Sequence, residues 1–314
     1  MRIAVTGGTG FIGQNLIRRL CAEGHLVCAL ARPGRAQALP QLPADCPGSL
    51  EACEGDLTDP ASLDGFLEGA AALIHLAGRH DHHSEEEMQA VNVTGTEHLM
   101  AEAKAHAPDD MRFVLVSSAV IGQPVYGYYR DSKRVQEKIV RSSGYDWASF
   151  RPTLVYGVGD TRHTGPFLRR CAKQQGTYWV PHEGVSKINP VHVDDVVDAI
   201  LLYLTQEQVM DVDSIYELAG PTGIPFNEFL DLTMAAAGGR QKRRNVPRRW
   251  VERFLLLKGV FTDVTRQRRG ASYFFLHHDH DISAAIETLG WQPRTYATGI
   301  AQVASGDWWR SSQE

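Results

Sequence analysis

Thr6-Gly7-Gly8-Thr9-Gly10-Phe11-Ile12-Gly13 is the stretch on which the fold turns. Gly8, Gly10 and Gly13 satisfy G-x-G-x-x-G, and Gly7, Gly10 and Gly13 satisfy the wider G-x-x-G-x-x-G. Arg2–Thr6 before it is short, apolar and β-branched, and residues 11–23 after it have a helical pattern. A strand turning on glycines into a helix is the context that gives this spacing meaning, against a bare glycine turn. The early glycines allow a tight turn and let main-chain N–H groups approach a pyrophosphate. Phe11 and Ile12 open a helix whose N-terminus carries partial positive charge, and Gly13 lets that helix lie close on its strand.

Outward from this loop, strand-like runs at 26–31, 50–54, 72–76, 112–116 and 147–150 alternate with helical patterns at 60–67, 85–106 and 129–142. Such alternation predicts right-handed βαβ units in an α/β fold, a Rossmann doubly wound parallel sheet. After Arg151 the alternation loosens. Residues 157–165 are glycine-rich, 188–205 read as a turn into an apolar helix, 214–218 as a strand, and 225–237, 248–258 and 281–289 as helices. We therefore expect a dinucleotide-binding domain over 1–164, with 186–219 returning to it. Residues 165–185 and 220–314 would form a smaller C-terminal substrate-capping lobe.

Composition excludes several classes. The 314 residues are 43% hydrophobic and 22% charged, as in ordinary globular proteins. Acidic residues outnumber basic ones 37 to 32, for a formal charge of −5. There is no global basic excess to neutralise a nucleic-acid backbone, so nucleic acid is not the expected partner. No run reaches the roughly 18 apolar residues of a membrane span, and MRIAVTGGTG breaks at glycine too early for a signal peptide. Cys21, Cys28, Cys46, Cys53 and Cys171 contain no C-x-x-C pair and are odd in number, which suits reduced thiols in a cytoplasmic protein.

The second strand names the dinucleotide. NAD-type sites place Asp or Glu at its end for the ribose hydroxyls. Here Ala31-Arg32 occupies that place, with Arg35 close behind. A guanidinium suits the 2′-phosphate of NADP(H), which a carboxylate would repel, so NADP(H) is expected and NAD(H) is the second choice. Asp56, followed by Leu57, is placed to meet the adenine amino group. His75-Leu76-Ala77-Gly78 ends the fourth strand with small residues, as needed where main chain passes under the cofactor ribose.

Tyr129-Arg-Asp-Ser-Lys133 puts a phenol and an ammonium on one helix face at i, i+4. A phenol titrates near 10, and a neighbouring ammonium lowers that value by favouring phenolate. The tyrosine can then pass a proton to a carbonyl oxygen as hydride arrives, or take one in reverse. Ser117-Ser118, after the fifth strand, can donate a hydrogen bond to the same oxygen.

These motifs resemble those of the short-chain dehydrogenase/reductase superfamily, in its extended or atypical branch. The resemblance rests on TGGTGFIG, GDL at 55–57, HLAG at 75–78, VNVTGT at 91–96, VSSA at 116–119, YRDSK at 129–133, RPTLVYGVGD at 151–160 and NPVHVDD at 189–195. Asp281-Ile-Ser with Leu289-Gly-Trp resembles the C-terminal signature of the sugar-epimerase-like branches. The resemblance implies a triad of Ser118, Tyr129 and Lys133, with Ser117 as the alternative serine. It also implies that Lys133 holds the nicotinamide ribose, that Pro152–Val155 lines the nicotinamide, and that Asn92 supports the site. Superfamily resemblance further suggests a homodimer. The sequence departs from the sugar-nucleotide branch in two places. Ser118 precedes Tyr129 by only 11 residues, which resembles the branch that includes the accessory NADPH-binding subunit of respiratory complex I. Position 154 is Leu, where that branch commonly carries Asn.

Other features carry less. His80, His82 and His83, and His277, His278 and His280, lack a recognised ligand spacing, so no metal is expected. Arg79, His80 and Tyr156 border the expected substrate pocket. Residues 240–249 carry Lys242 and five arginines, read as a solvated helix start. Trp250, Phe254, Tyr273, Phe274 and Phe275 read as lobe core, and Trp308 and Trp309 as a tail that docks, on a partner subunit in one reading. The leading expectation is an NADP(H)-dependent oxidoreductase interconverting a small-molecule carbonyl and alcohol. The alternatives are a nucleotide-sugar epimerase or dehydratase with internal redox, and a non-catalytic NADPH-binding assembly or sensor protein.

Overall fold

The computed structural model describes residues 1–80, 83–124, 127–206, 214–259 and 279–310. Its strands are β1 (Arg2–Thr6), β2 (Leu26–Ala31), β3 (Ser49–Glu54), β4 (Ala72–His75), β5 (Arg112–Val116), β6 (Asp146–Pro152), β7 (Val155–Tyr156), β8 (Thr177–Pro181), β9 (Lys187–Ile188), β10 (Val191–His192), β11 (Ile215–Leu218), β12 (Ile224–Pro225) and β13 (Lys242–Val246). The helices are α1 (Phe11–Ala22), α2 (Glu85–Met88), α3 (Gly95–His106), α4 (Tyr128–Arg141), α5 (Thr164–Cys171), α6 (Val193–Thr205), α7 (Phe226–Ala237), α8 (Arg248–Gly259), α9 (Ser283–Leu289) and α10 (Tyr296–Ser305).

Seven strands form one sheet in the order β11-β6-β5-β4-β1-β2-β3, and every pairing is parallel. The doubly wound expectation therefore holds. Strand order reverses between β1 and β4, which opens a crevice at their carboxyl ends. Alternation along β1 sends Ile3 and Val5 to one face, with Leu16, Ile17 and Leu20 of α1 and Val196 and Ile200 of α6. Ala4 goes to the other face, with Leu73, Phe113 and Leu115 under Leu99 and Ala103 of α3 and Val140 of α4. Burial on both faces explains why these strands are apolar throughout rather than alternating.

A third apolar cluster is built from Leu168 and Cys171 of α5, Phe229 and Leu230 of α7, and Ile300 and Val303 of α10. Tyr178, Val180 and Trp309 also belong to it. Trp309 is 2% exposed and its indole N–H donates to Ala304 O, so the tail docks on its own chain. Asp195 of α6 accepts from Arg294 N at 3.0 Å and Arg294 Nε at 2.8 Å, while Trp291 Nε1 donates to Asp195 O. This joins the NPVHVDD stretch to the C-terminal Leu289-Gly-Trp stretch.

Four expectations need correction. Residues 60–67 make only a short 3₁₀ turn at Pro60–Leu63, because Asp59 caps it and the glycine at 65 ends it at φ +74°. The basic stretch is not one helix start. Lys242–Val246 pairs in parallel with β8, and Arg248 and Arg249 then open α8. Cys28 of β2 and Cys53 of β3 are joined as a disulfide, where five reduced thiols were expected. Trp250 and Phe254, read as lobe core, are 55% and 57% exposed. His82, Tyr273, Phe274, Phe275, His277 and His278 lie outside the described residues.

Candidate active site

At the carboxyl ends of β1, β2, β3 and β4 lies a cleft of about 450 Å³. It is lined by Gly7 and Gly10 of the glycine loop, Arg32 and Arg35 after β2, Asp56 and Leu57 after β3, and Leu76, Ala77, Gly78 and Arg79 after β4. Eight of the residues expected to hold a dinucleotide are thus brought to one surface, and Arg79, expected at the substrate pocket, lies on it beside them.

The glycine loop is shaped by two close approaches. Gly7 has φ +74°, and a β-carbon there would meet Ala77 N at 2.7 Å. A β-carbon on Gly13 would meet Gly7 O at 2.3 Å, so α1 lies directly on the turn that precedes it. The N-cap of α1 is Gly10, which has no side-chain oxygen to give the first helical amides. An uncapped helix start opening on a cleft with three arginines fits an anionic diphosphate, and the glycine cradle fits its close approach. Arg32 and Arg35 stand in one turn, with Arg35 N donating to Arg32 O.

Beyond Gly78 lies Lys133. A β-carbon on Gly78 would be 3.4 Å from Lys133 Nζ and 3.3 Å from Asn92 Oδ1. Lys133 is 3% exposed, and its ammonium donates to Val116 O at 3.1 Å and to Gln136 Oε1 at 2.8 Å. Burial lowers its pKa to about 8, against the raising effect of Glu137. Glu137 is itself buried, accepting from Ser149 Oγ and from Arg151 Nε at 3.0 Å. Tyr129 stands in the first turn of α4, half-buried, one helical turn before Lys133.

The chain between α2 and α3 is a π-helical turn over Gln89–Thr94. It carries Asn92, whose side chain is fully buried and donates to Ser132 Oγ at 3.0 Å, while Ser132 Oγ donates to Tyr129 O. Asn92 thereby ties the loop after β4 to the helix of Tyr129 and Lys133.

Ser117 and Ser118 differ in surroundings. Ser118 caps the 3₁₀ turn Ala119–Gly122, accepting from Val120 N at 3.4 Å. Ser117 is 5% exposed and its Oγ finds no hydrogen-bond partner among the described residues. Pro152 is buried at the end of β6, and Val155 packs against the core and pairs with Val191. Phe11 and Ile12 are half-buried in the first turn of α1. His80 packs its ring on that of His83.

Tyr156 departs from its expected place at the substrate pocket. It is 5% exposed, edge-on to His192 and Tyr296, and a β-carbon on Gly299 would meet its hydroxyl at 2.0 Å. It is a core residue of the third cluster.

Sequence reasoning passed over Gln136, Thr96 and Thr6, and read His75 only as the end of a strand. All four are fully buried and hydrogen-bonded to one another behind Lys133. The signal was a glutamine three residues after the lysine, on a helix face that otherwise turns inward.

Residues 3–219 match the NAD dependent epimerase/dehydratase family. The chain is 32% identical over 201 residues to ceramide reductase of Caulobacter vibrioides, covering 64% of this chain but only 60% of that protein. It is 24% identical over 262 residues to 2-alkyl-3-oxoalkanoate reductase of Stenotrophomonas maltophilia, 76% of each chain. The crystal structure of gox2253 superimposes with a TM-score of 0.77 at 24% identity, covering 98% of this chain and 97% of that one. With the glycine cradle, the parallel sheet and a match over more than half its length, the chain belongs to the NAD dependent epimerase/dehydratase family.

Proposed function

We propose that the protein is an NADP(H)-dependent oxidoreductase that interconverts a carbonyl and an alcohol, with Tyr129 as the acid and base. The observation that carries this reading is the run of the cleft, from Arg32 and Arg35 at one end to Gly78 beside Lys133 at the other. When bound, the nicotinamide dinucleotide supplies or accepts the hydride. The residues of the chain do the rest. Arg32 and Arg35 read the 2′-phosphate, Asp56 and Leu57 meet the adenine, and the Gly7–Gly13 turn and the α1 N-terminus hold the diphosphate. Ser118, or Ser117, donates to the carbonyl oxygen. The Tyr129 hydroxyl gives its proton to that oxygen as the C–H bond forms, and the Lys133 ammonium stabilises the phenolate left behind.

The two reductase relatives, by name, act on molecules with alkyl chains, which supports net reduction of an alkyl-bearing ketone. Leu154, 43% exposed where the sugar-nucleotide branch commonly has Asn, supports it over a nucleotide-sugar substrate. The test is thermal stability with NADPH, NADH or neither, followed by a screen of alkyl ketones at 340 nm. Stabilisation by NADPH alone and ketone-dependent loss of absorbance are expected. Stabilisation by NADH alone, or tightly retained NAD without net turnover, would overturn the reading in favour of internal redox.

A further inference from the structure

The groups behind Lys133 have their proton positions fixed by a single fact: an ammonium donates and cannot accept. Lys133 Nζ lies 2.8 Å from one end of the Gln136 side chain, so that end is the carbonyl oxygen. The Gln136 amide nitrogen then faces His75 Nε2 at 2.9 Å and Thr96 Oγ1 at 3.0 Å and donates to both. A His75 Nε2 that accepts has no proton, so Nδ1 carries it and donates to Thr6 Oγ1 at 2.6 Å. Thr96 Oγ1 passes its own proton to Asn92 O at 2.8 Å.

We propose that Gln136 is a positioning residue for Lys133, holding the ammonium through its amide oxygen while a neutral, Nδ1-protonated His75 holds Gln136 in that orientation. This rests on the reading of Lys133 given above. Four observations carry it. Gln136 and His75 are fully buried, and a primary amide is costly there unless both ends are bonded, as they are. The i, i+3 spacing puts Gln136 on the inner face of α4 beside Lys133. Thr6 and His75 are register partners at the carboxyl ends of β1 and β4, so the sheet itself sets where the imidazole stands. Val116 O and Gln136 Oε1 take two of the three ammonium donors, leaving one N–H for the side where Gly78 has no side chain.

The charged and titratable groups around the ammonium are few. His75 stands behind it, Tyr129 one turn before it, and Glu137 beside it with Arg151 in ion pair. A proton on His75 Nε2 would face the Gln136 amide donor and add a second cation near Lys133, so the imidazole stays neutral.

The test is NMR on the full chain with 15N-labelled histidine and 13C-labelled lysine, for the wild type, Gln136→Met and Gln136→Glu. In the wild type, His75 should be Nδ1-protonated and show no titration between about pH 5 and 8. Gln136→Met should release that tautomer and lower the Lys133 titration by about one unit, a tenfold change in proton affinity. Gln136→Glu, which matches the shape and keeps an acceptor, should raise it by about one unit or more. An Nε2-protonated His75 in the wild type, or a Lys133 titration unmoved in Gln136→Glu, would overturn the proposal. Should Gln136→Met fail to fold, the isosteric Gln136→Glu alone decides. None of these readouts needs substrate. Expected spectra in a protein without ketone reduction would sink the proposed activity and leave this inference standing.

Discussion

The side chain of Asn92 closes on both main-chain groups of Arg79, accepting from its N–H at 2.7 Å and donating to its carbonyl at 2.9 Å. The loop that floors one end of the cleft is thereby held by a residue of the π-helical turn, which also bonds Ser132 on the helix of Tyr129. Asn92→Ala removes both of these part-buried bonds to Arg79 and the bond to Ser132 Oγ. The expected cost is about 1–3 kcal/mol in urea unfolding, with a fall in kcat larger than the change in cofactor affinity. Unchanged stability and kcat would mean that the loop keeps its shape without the clasp.

Tyr129→Phe removes one oxygen and keeps the ring. Loss of the proton donor should cut kcat by about 10²–10⁴-fold, while NADPH binding by fluorescence stays within a few-fold of the wild type. Activity near the wild-type level would rule out the phenol as the acid.

Arg32→Ala should weaken NADPH by about tenfold or more and leave NADH almost unchanged, since a charge-assisted hydrogen bond contributes roughly 1.5–3 kcal/mol. Comparing Kd for the two cofactors in both proteins separates a phosphate reader from a general loss of fold. Equal weakening of both would assign Arg32 to structure.

Burial, with Lys133 nearby, lowers the pKa of His75 to about 3, and burial lowers that of His192 to about 4. An unfolded histidine titrates near 6.5, so below that pH the unfolded chain takes up protons that the folded chain refuses. Stability should therefore fall as pH drops from about 6.5, by about 1.4 kcal/mol per unit for each histidine, until the folded values are reached. Urea unfolding between pH 7 and 4 should show a shallower fall in His75→Gln than in the wild type. Equal slopes would contradict a neutral buried imidazole.

Gly299→Ala tests the third cluster separately from the cleft. Its new methyl would meet the Tyr156 hydroxyl, so a loss of about 1–3 kcal/mol is expected with cofactor affinity unchanged. A matching loss of cofactor binding would mean that the two regions are coupled.

The sheet was legible because parallel strands buried on both faces are written as apolar runs, and β1, β2 and β5 fall at their expected bounds. The glycine turn, the place of Arg32 on the cleft and the i, i+4 spacing of Tyr129 and Lys133 on α4 were legible because each depends on local sequence, while their roles belong to the proposal above. Tyr156 was not. Its neighbours Gly299 and Tyr296 come from the far end of the chain, and no local pattern reports which way a side chain turns at such a junction. The hydrogen-bonded group behind Lys133 was hidden for the same reason, since Thr6, His75, Thr96 and Gln136 come from four separate elements. Strand β13 was misread because its charged residues are exposed, and an edge strand with solvated side chains lacks the apolar alternation that marks strands.

Parallel pairing throughout the sheet also orders events in time. Hairpins are impossible in such a sheet, so each strand must wait for a crossover to be threaded and packed before it can dock, and folding is slow for its size. The connections between successive strands from β1 to β6 run over residues 7–25, 32–48, 55–71, 76–111 and 117–145, whereas β11 reaches β6 only across residues 153–214. That closure carries the largest loop entropy in the sheet and falls on the edge farthest from the glycine loop. The strands that bound the crevice, β1 to β4, are thus joined through shorter closures than the one that completes the opposite edge.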